Sequence, residues 1–175
     1  MNIVLIGYRG TGKSAVSSRL AELTGMRRVS TDEDIVRRSG CPIRAYVEAH
    51  GWQAFRDLEA EAIADLARED RLVLDTGGGV VLREANVDAL RDHGVLFWLR
   101  AGVSTIRDRI ASDTERPSLT GQRSFLEEVA EVLAEREPKY ASASHYVIDT
   151  DSRTVEAIAD EILGLYRRHI GPERE

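Results

Sequence analysis

Ile3-Val4-Leu5-Ile6-Gly7-Tyr8-Arg9-Gly10-Thr11-Gly12-Lys13-Ser14 is an apolar run that ends in glycines, a lysine and a hydroxyl. From Gly7 it reads G-x-x-x-x-G-K-S, the phosphate-binding P-loop. Such a loop wraps a polyphosphate in backbone N–H groups and hands it to a helix N-terminus. Gly7, Gly10 and Gly12 allow the close backbone approach this requires. Lys13 places a point charge on the β- and γ-phosphates, and the Ser14 hydroxyl completes a Mg²⁺ shell otherwise made of oxygens and water. The context agrees: Ile3 to Ile6 is a buried-strand signature, and Val16, Leu20 and Leu23 follow Lys13 at helical spacing. Gly10, Thr11, Gly12, Lys13, Ser14 and Ala15 are therefore the expected nucleotide-binding stretch.

Around this loop, 175 residues with 42% hydrophobic content make one well-packed domain and are too few for two ordinary ones. The expected domain spans residues 1–170, with a frayed polar tail at 171–175. A net charge of −6 without a basic stripe argues against a nucleic-acid partner. The single cysteine, Cys41, excludes an intramolecular disulfide and suits a reducing cytoplasm. The chain opens on a strand, with no room for a secretory leader, and no apolar run approaches the ~20 residues that span a bilayer. The expectation is a soluble, cytoplasmic monomer acting on small molecules, with no membrane partner.

Short apolar runs alternate with longer amphipathic ones, the α/β signature. Arg28 to Ser30 reads as a strand leading into a helix from Thr31 to Ser39, ended by Gly40. Pro42 suits the first turn of another helix, Ile43 to His50, which Gly51 ends. A long helix from Trp52 to Ala67 follows, on which Arg56 and Glu59 share a face. Leu72 to Asp75 is the next strand, and it runs into Thr76-Gly77-Gly78-Gly79, where backbone must approach something closely. A helix from Glu84 to His93, the strand Val95 to Leu99 and a helix from Ser104 come next. Asp113 to Arg123 is polar and aperiodic, and reads as a mobile loop. Ser124 to Glu127 is a capping box opening a long helix that Pro138 is expected to bend or end. Tyr146 to Ile148 is the last strand, and Val155, Ile158, Ile162 and Leu165 mark the last helix. Five strands separated by helices imply a parallel sheet, with ligands at the carboxyl ends of its strands.

The residues at those carboxyl ends are Asp32, Gly77, Gly78 and Gly79, with Arg56 on a helix between them and Arg136 late in the chain. Two arginines suit a carboxylate, because the planar fork matches it bidentately. Asp32 suits hydroxyl groups and can draw off a proton. The set describes a small hydroxylated acid as the phosphate acceptor. Without more, Arg56 pairs with Glu59 across a helical turn, Arg136 belongs to a solvated charged stretch, and Trp52 and Trp98 belong to the core.

From Asn2 to about Leu165 the chain resembles the shikimate kinases. The motifs that carry the resemblance are the P-loop, Asp32 ahead of Ile35, Phe55-Arg56-Asp57-Leu58-Glu59, Gly77-Gly78-Gly79, Arg116-Pro117-Ser118-Leu119, and Glu135-Arg136 before Pro138 and Tyr140. The resemblance implies a three-layer P-loop kinase fold of the α/β class, a five-stranded parallel sheet flanked by helices, with a mobile lid at about 113–123. It implies phosphorylation of the 3-hydroxyl of shikimate by ATP with Mg²⁺, on the route to chorismate and the aromatic amino acids. It places shikimate on Asp32, Arg56, Gly77, Gly78, Gly79 and Arg136, and a lid arginine at Arg116. Adenine would lie between Arg109 and the segment around Arg153. Lys13, Asp32 and Arg116 are the expected catalytic residues.

One position breaks the pattern. The family usually carries an Asp-x-Asp pair after the second strand, its first carboxylate reaching Mg²⁺ through water; here that place is Ser30. Asp75 stands where the family usually has a small or hydroxyl residue, on the strand expected beside the P-loop strand. The expectation is that the metal shell draws on Ser14 and, through water, on Asp75; the rival is that Asp75 caps the glycine turn. Other functions stay open from the sequence: a gluconate or nucleoside monophosphate kinase, a paralogue without shikimate activity, or a nucleotide switch. For the switch, Asp75 to Gly78 matches D-x-x-G, but the guanine-reading N-K-x-D is missing.

Overall fold

The computed structural model describes residues 1–110 and 125–171. The expected lid at 113–123, with Arg116, and the capping serine Ser124 lie outside the described residues, as does the tail from 172. Five strands form one sheet in the order β2-β3-β1-β4-β5. They are β1 (Asn2–Ile6), β2 (Arg27–Ser30), β3 (Leu72–Asp75), β4 (Gly94–Arg100) and β5 (Tyr146–Asp149). Every neighbouring pair is parallel.

The alternation along the strands sorts side chains into two layers. Ile3, Leu5, Val73, Val95, Phe97 and Leu99 pack on α1 (Lys13–Thr24) and α7 (Val155–Ile170). Val4, Ile6, Leu72, Leu74, Leu96 and Trp98 pack on the opposite side. There they meet α3 (Ile43–Ala67), α4 (Glu84–His93), α5 (Val103–Ile110) and α6 (Phe125–Ala143). Strands covered on both faces read as continuous apolar runs, which is why β1 and β4 are recognisable in the sequence. A smaller cluster of Ile35, Phe55 and Ala62 joins α2 (Thr31–Ser39) to α3 and forms a shoulder beside the sheet's carboxyl edge.

The ends of the helices follow their residues. Gly40 closes α2 in the left-handed conformation, and its N–H donates to the Val36 carbonyl. Gly51 interrupts α3 at φ 82°, so the two helices expected around it are present, joined across a kink. Pro138, expected to bend or end its helix, does not end it: α6 continues through it to Ala143. The missing N–H removes one helical bond, but the turns beyond it bury Tyr140 and Ala143 in the core. That packing outweighs the local defect and keeps Arg136 and Tyr140 on one rigid element.

Candidate active site

The nucleotide cradle begins at Gly7, where β1 turns. Its φ is 140°, and an added Cβ would lie 2.5 Å from the Leu99 carbonyl oxygen, so a larger residue there would force the loop off the sheet. The Thr11 hydroxyl donates to the Tyr8 carbonyl at 2.7 Å and ties the loop across itself. Lys13 folds over the same loop: its ammonium donates to the carbonyls of Gly7 at 2.8 Å and Tyr8 at 3.0 Å. Gly12 precedes α1 without a side-chain cap, which leaves first-turn N–H groups for a ligand. A cavity of about 270 Å³ lies here, lined by Gly10, Gly12, Lys13, Ser14, Ala15, Ser30 and Asp75 among others. Arg109 marks its outer side, with donation to the carbonyls of Gly10 at 3.0 Å and Thr150 at 3.3 Å. Arg153 turns the other way, onto the Asp149 and Ala157 carbonyls and the Glu161 carboxylate of α7.

A second cavity of about 560 Å³ adjoins the first. Asp32, Arg56, Gly77, Gly78, Gly79 and Arg136 all line it, so the residues predicted to hold the acceptor converge. Two of the three glycines are tightly enclosed, whereas Gly78 has room for a Cβ at 3.5 Å from its nearest neighbour. A Cβ on Gly77 would come 2.7 Å from the Asp32 carboxylate, and one on Gly79 would come 2.3 Å from the Arg56 guanidinium. Arg136 is only 8% exposed and donates to the Gly78 carbonyl at 3.2 Å, so it is no part of a solvated face. The Tyr140 hydroxyl donates to the same carbonyl. Burial pushes that phenol up to about 12, and Arg136 acts against the rise.

Arg56 does pair with Glu59, at 2.6 Å, but the carboxylate is buried and the guanidinium only partly exposed. Glu59 is 1% exposed. Burial pushes its carboxyl above the ordinary value; Arg56 and Arg136 pull it down, and Asp32 adds to the rise. The pair therefore fixes the guanidinium in the cavity wall, where it also packs against the rings of Trp52 and Phe55. Trp52 packs against the cluster of Ile35, Phe55 and Ala62 and also lines the cavity, whereas Trp98 stacks on Tyr140 in the core as expected.

The break at position 30 has a local explanation. The Ser30 hydroxyl caps α2 by accepting from the Glu33 N–H, a task serine performs well. Asp75 stands in register with Ser30 on one side and Leu5 on the other, so β3 does lie beside the P-loop strand. Asp75 does not cap the glycine turn: its hydrogen bond is with Arg28, while the Gly77 N–H donates to the Thr31 hydroxyl. Sequence reasoning missed Arg28, and it missed Glu59 and Arg9 as cavity residues. Arg9 lines both cavities, a placement that only the fold of the loop supplies.

Comparison with known proteins agrees with this geometry. Residues 9–167 match the family described as SKI, shikimate kinase. The chain belongs to the shikimate kinase family. Curated relatives include the shikimate kinase of Nitratidesulfovibrio vulgaris, 42% identical over 93% of this chain and 94% of the relative. That of Oleidesulfovibrio alaskensis is 41% identical over 93% and 95%. Among solved structures, shikimate kinase from Acinetobacter baumannii, in complex with shikimate, superposes with a TM-score of 0.89 at 32% identity. It covers 96% of this chain, and this chain covers 93% of it. The protein is thus a kinase of the P-loop α/β class that acts on small molecules, as shikimate kinases do, and its donor set suits their divalent metal. Ser14, Ser30, Asp32 and Asp75 line the smaller cavity with hard oxygens.

Proposed function

We propose that this chain transfers the γ-phosphoryl group of ATP to the 3-hydroxyl of shikimate. The observation that carries the reading is the shared wall: Arg9, Asp32, Gly77 and Gly78 line both cavities. Asp32 therefore stands where an acceptor hydroxyl in one cavity meets a terminal phosphate in the other. Phosphoryl transfer depends mostly on such positioning and on charge neutralisation.

Arg56 and Arg136 hold the acceptor's carboxylate, a role that suits two largely enclosed guanidiniums braced by Glu59 and by the Gly78 carbonyl. Asp32 accepts a hydrogen bond from the attacking hydroxyl and orients it along the transfer line. With a loose transition state, a strong base is not required. Lys13 moves its donors from the Gly7 and Tyr8 carbonyls to the phosphates when nucleotide enters. Arg109 borders the adenine side, and Arg153 contributes there only by leaving its bonds on α7. Mg²⁺ would be the metal: Ser14 and, through water, Asp75 are the residues that would hold it, and it would supply charge to offset that of the phosphates. Residues 113–123 act as the lid, which brings Arg116 to the transferring group and excludes water.

The protein works as a single kinase domain over residues 1–170, a cytoplasmic monomer without nucleic-acid or membrane partners. Among the described residues no helix is long and apolar enough to cross a membrane. The test is ADP release in a coupled assay with shikimate, gluconate, AMP or no acceptor. Turnover with shikimate alone is expected; turnover independent of acceptor, or faster with gluconate or AMP, overturns the reading.

A further inference from the structure

Arg28 is hydrogen-bonded to Asp75, which lines the smaller cavity, and the transfer chemistry gives it no task of its own. Its Nη2 donates to Asp75 Oδ2 at 3.1 Å and its Nε to Ser17 Oγ at 2.9 Å. The Ser17 hydroxyl in turn donates to the Ser14 carbonyl at 2.9 Å. A continuous line of hydrogen bonds thus joins Ser14, in the first turn of α1, to the carboxylate at the end of β3. Both Ser17 and Asp75 are buried, at 0% and 6% exposed. The remaining contact, Arg28 with Glu33 at 3.6 Å, involves a largely exposed carboxylate and adds little.

We infer that Arg28 is a positioning residue for the cation site, fixing Asp75 at a set place relative to Ser14. This deepens the phosphoryl-transfer reading and rests on it, since the ligand is a divalent cation carried by a nucleoside polyphosphate. Three observations combine. Ser30, bound to its helix as a cap, has no carboxylate to offer, and Asp75 is its register partner one strand closer to the P-loop. Asp75 borders the same cavity as Ser14. Its oxygen engaged by Arg28 is Oδ2, so Oδ1 is the one that would face a water of the cation's shell. Arginine is suited to the task because one edge of its planar fork meets a hydroxyl and a carboxylate together; a lysine ammonium is a single point and cannot hold both in that geometry. Partners behind a metal-binding carboxylate set its orientation and tune the affinity.

The test uses the whole protein without acceptor and reads how much Mn²⁺, as a spectroscopic substitute for Mg²⁺, tightens ADP binding. Arg28→Lys keeps the charge and loses the fork. It is expected to reduce that tightening about tenfold and to leave metal-free ADP affinity unchanged. Asp75→Asn is expected to act similarly, and Arg28→Lys to add nothing in its presence. Ser17→Ala deletes one hydroxyl at little risk to the fold and is expected to move the tightening in the same direction by less; it decides the matter if the arginine variant does not fold. Unchanged or stronger metal coupling in Arg28→Lys, or in Ser17→Ala where only that variant folds, overturns the inference. So does an Arg28→Lys effect that persists undiminished with Asp75→Asn. With no acceptor present, failure of the shikimate reading leaves the result untouched.

Discussion

Arg56 and Glu59, three residues apart on α3, form an ion pair whose carboxylate is almost completely buried against the wall of the acceptor cavity. A surface pair at this spacing contributes only about 0.3–0.5 kcal/mol. Here the function of the pair is orientation. Glu59→Gln keeps the shape and removes the charge, so Arg56 keeps a weaker anchor. A hydrogen bond to a charged group is worth about 1.5–3 kcal/mol, and the expected result is a KM for shikimate raised about tenfold or more. Nucleotide affinity is expected to stay unchanged. Steady-state kinetics with each substrate varied in turn make the check.

The same residue sets a pH dependence. Burial raises the Glu59 carboxyl above its ordinary value, so the folded protein binds this proton more readily than the unfolded chain. By linkage, the group's contribution to stability is fully present below the ordinary glutamate value and declines as pH rises through the raised one. Glu59→Gln lacks this term. Its destabilisation relative to the parent is therefore expected to be largest in acid and to shrink toward neutral pH. Urea titrations at several pH values read the difference, and a gap that widens toward neutrality contradicts the sign.

Local pattern made the sheet, its parallel sense and the P-loop legible, since buried strands and a glycine-lysine-hydroxyl loop announce themselves within a dozen residues. The acceptor site was legible only through the family resemblance, because its parts lie far apart in sequence. Arg136 and Glu59 read locally as surface charges, and what buries them is tertiary: the Gly78 carbonyl is 58 residues from Arg136. Arg28 left no signal, since its partner Asp75 sits 47 residues away on a neighbouring strand. Pro138 does not end its helix because the rule for proline weighs one backbone bond, whereas the buried ring of Tyr140 holds the helix beyond it.

Gly79 tests how closely Arg56 must approach the backbone. An added methyl would overlap the guanidinium, which is the movable end of its side chain, so Gly79→Ala is expected to displace Arg56 without unfolding the protein. The predicted signature is a loss of shikimate affinity of about tenfold with ADP binding and thermal stability preserved. Calorimetric titration and a melting curve separate the two, and a large fall in melting temperature would point to a structural role for this glycine.

Tyr140 and Arg136 both donate to the Gly78 carbonyl, so either alone leaves that oxygen satisfied. Tyr140→Phe is expected to cost about 1 kcal/mol of stability and to change KM for shikimate little. Arg136→Lys loses the planar fork as well as the bond, and is expected to weaken shikimate binding far more than Tyr140→Phe does. Because the phenol is pushed up to about 12, no tyrosinate forms in the working range, and a pH–rate profile is expected to show no limb from this group. Equal effects of the two substitutions on KM would place the acceptor's carboxylate away from Arg136.

Arg116 carries the remaining prediction, from its place in the proposed lid. An arginine that meets the transferring phosphoryl group acts on the transition state, and its removal costs roughly 10³–10⁵ in rate in related systems. In the proposed mechanism nucleotide binding in the ground state relies instead on the loop from Gly10 to Ala15, which the substitution leaves intact. Arg116→Ala is therefore expected to lower kcat steeply while the dissociation constant of ADP changes little. Excluded water makes a second readout: with a poorly closing lid, the ratio of ATP hydrolysed to shikimate phosphorylated is expected to rise. If kcat and ADP affinity fall by the same factor, Arg116 holds nucleotide in the ground state and the lid role is wrong.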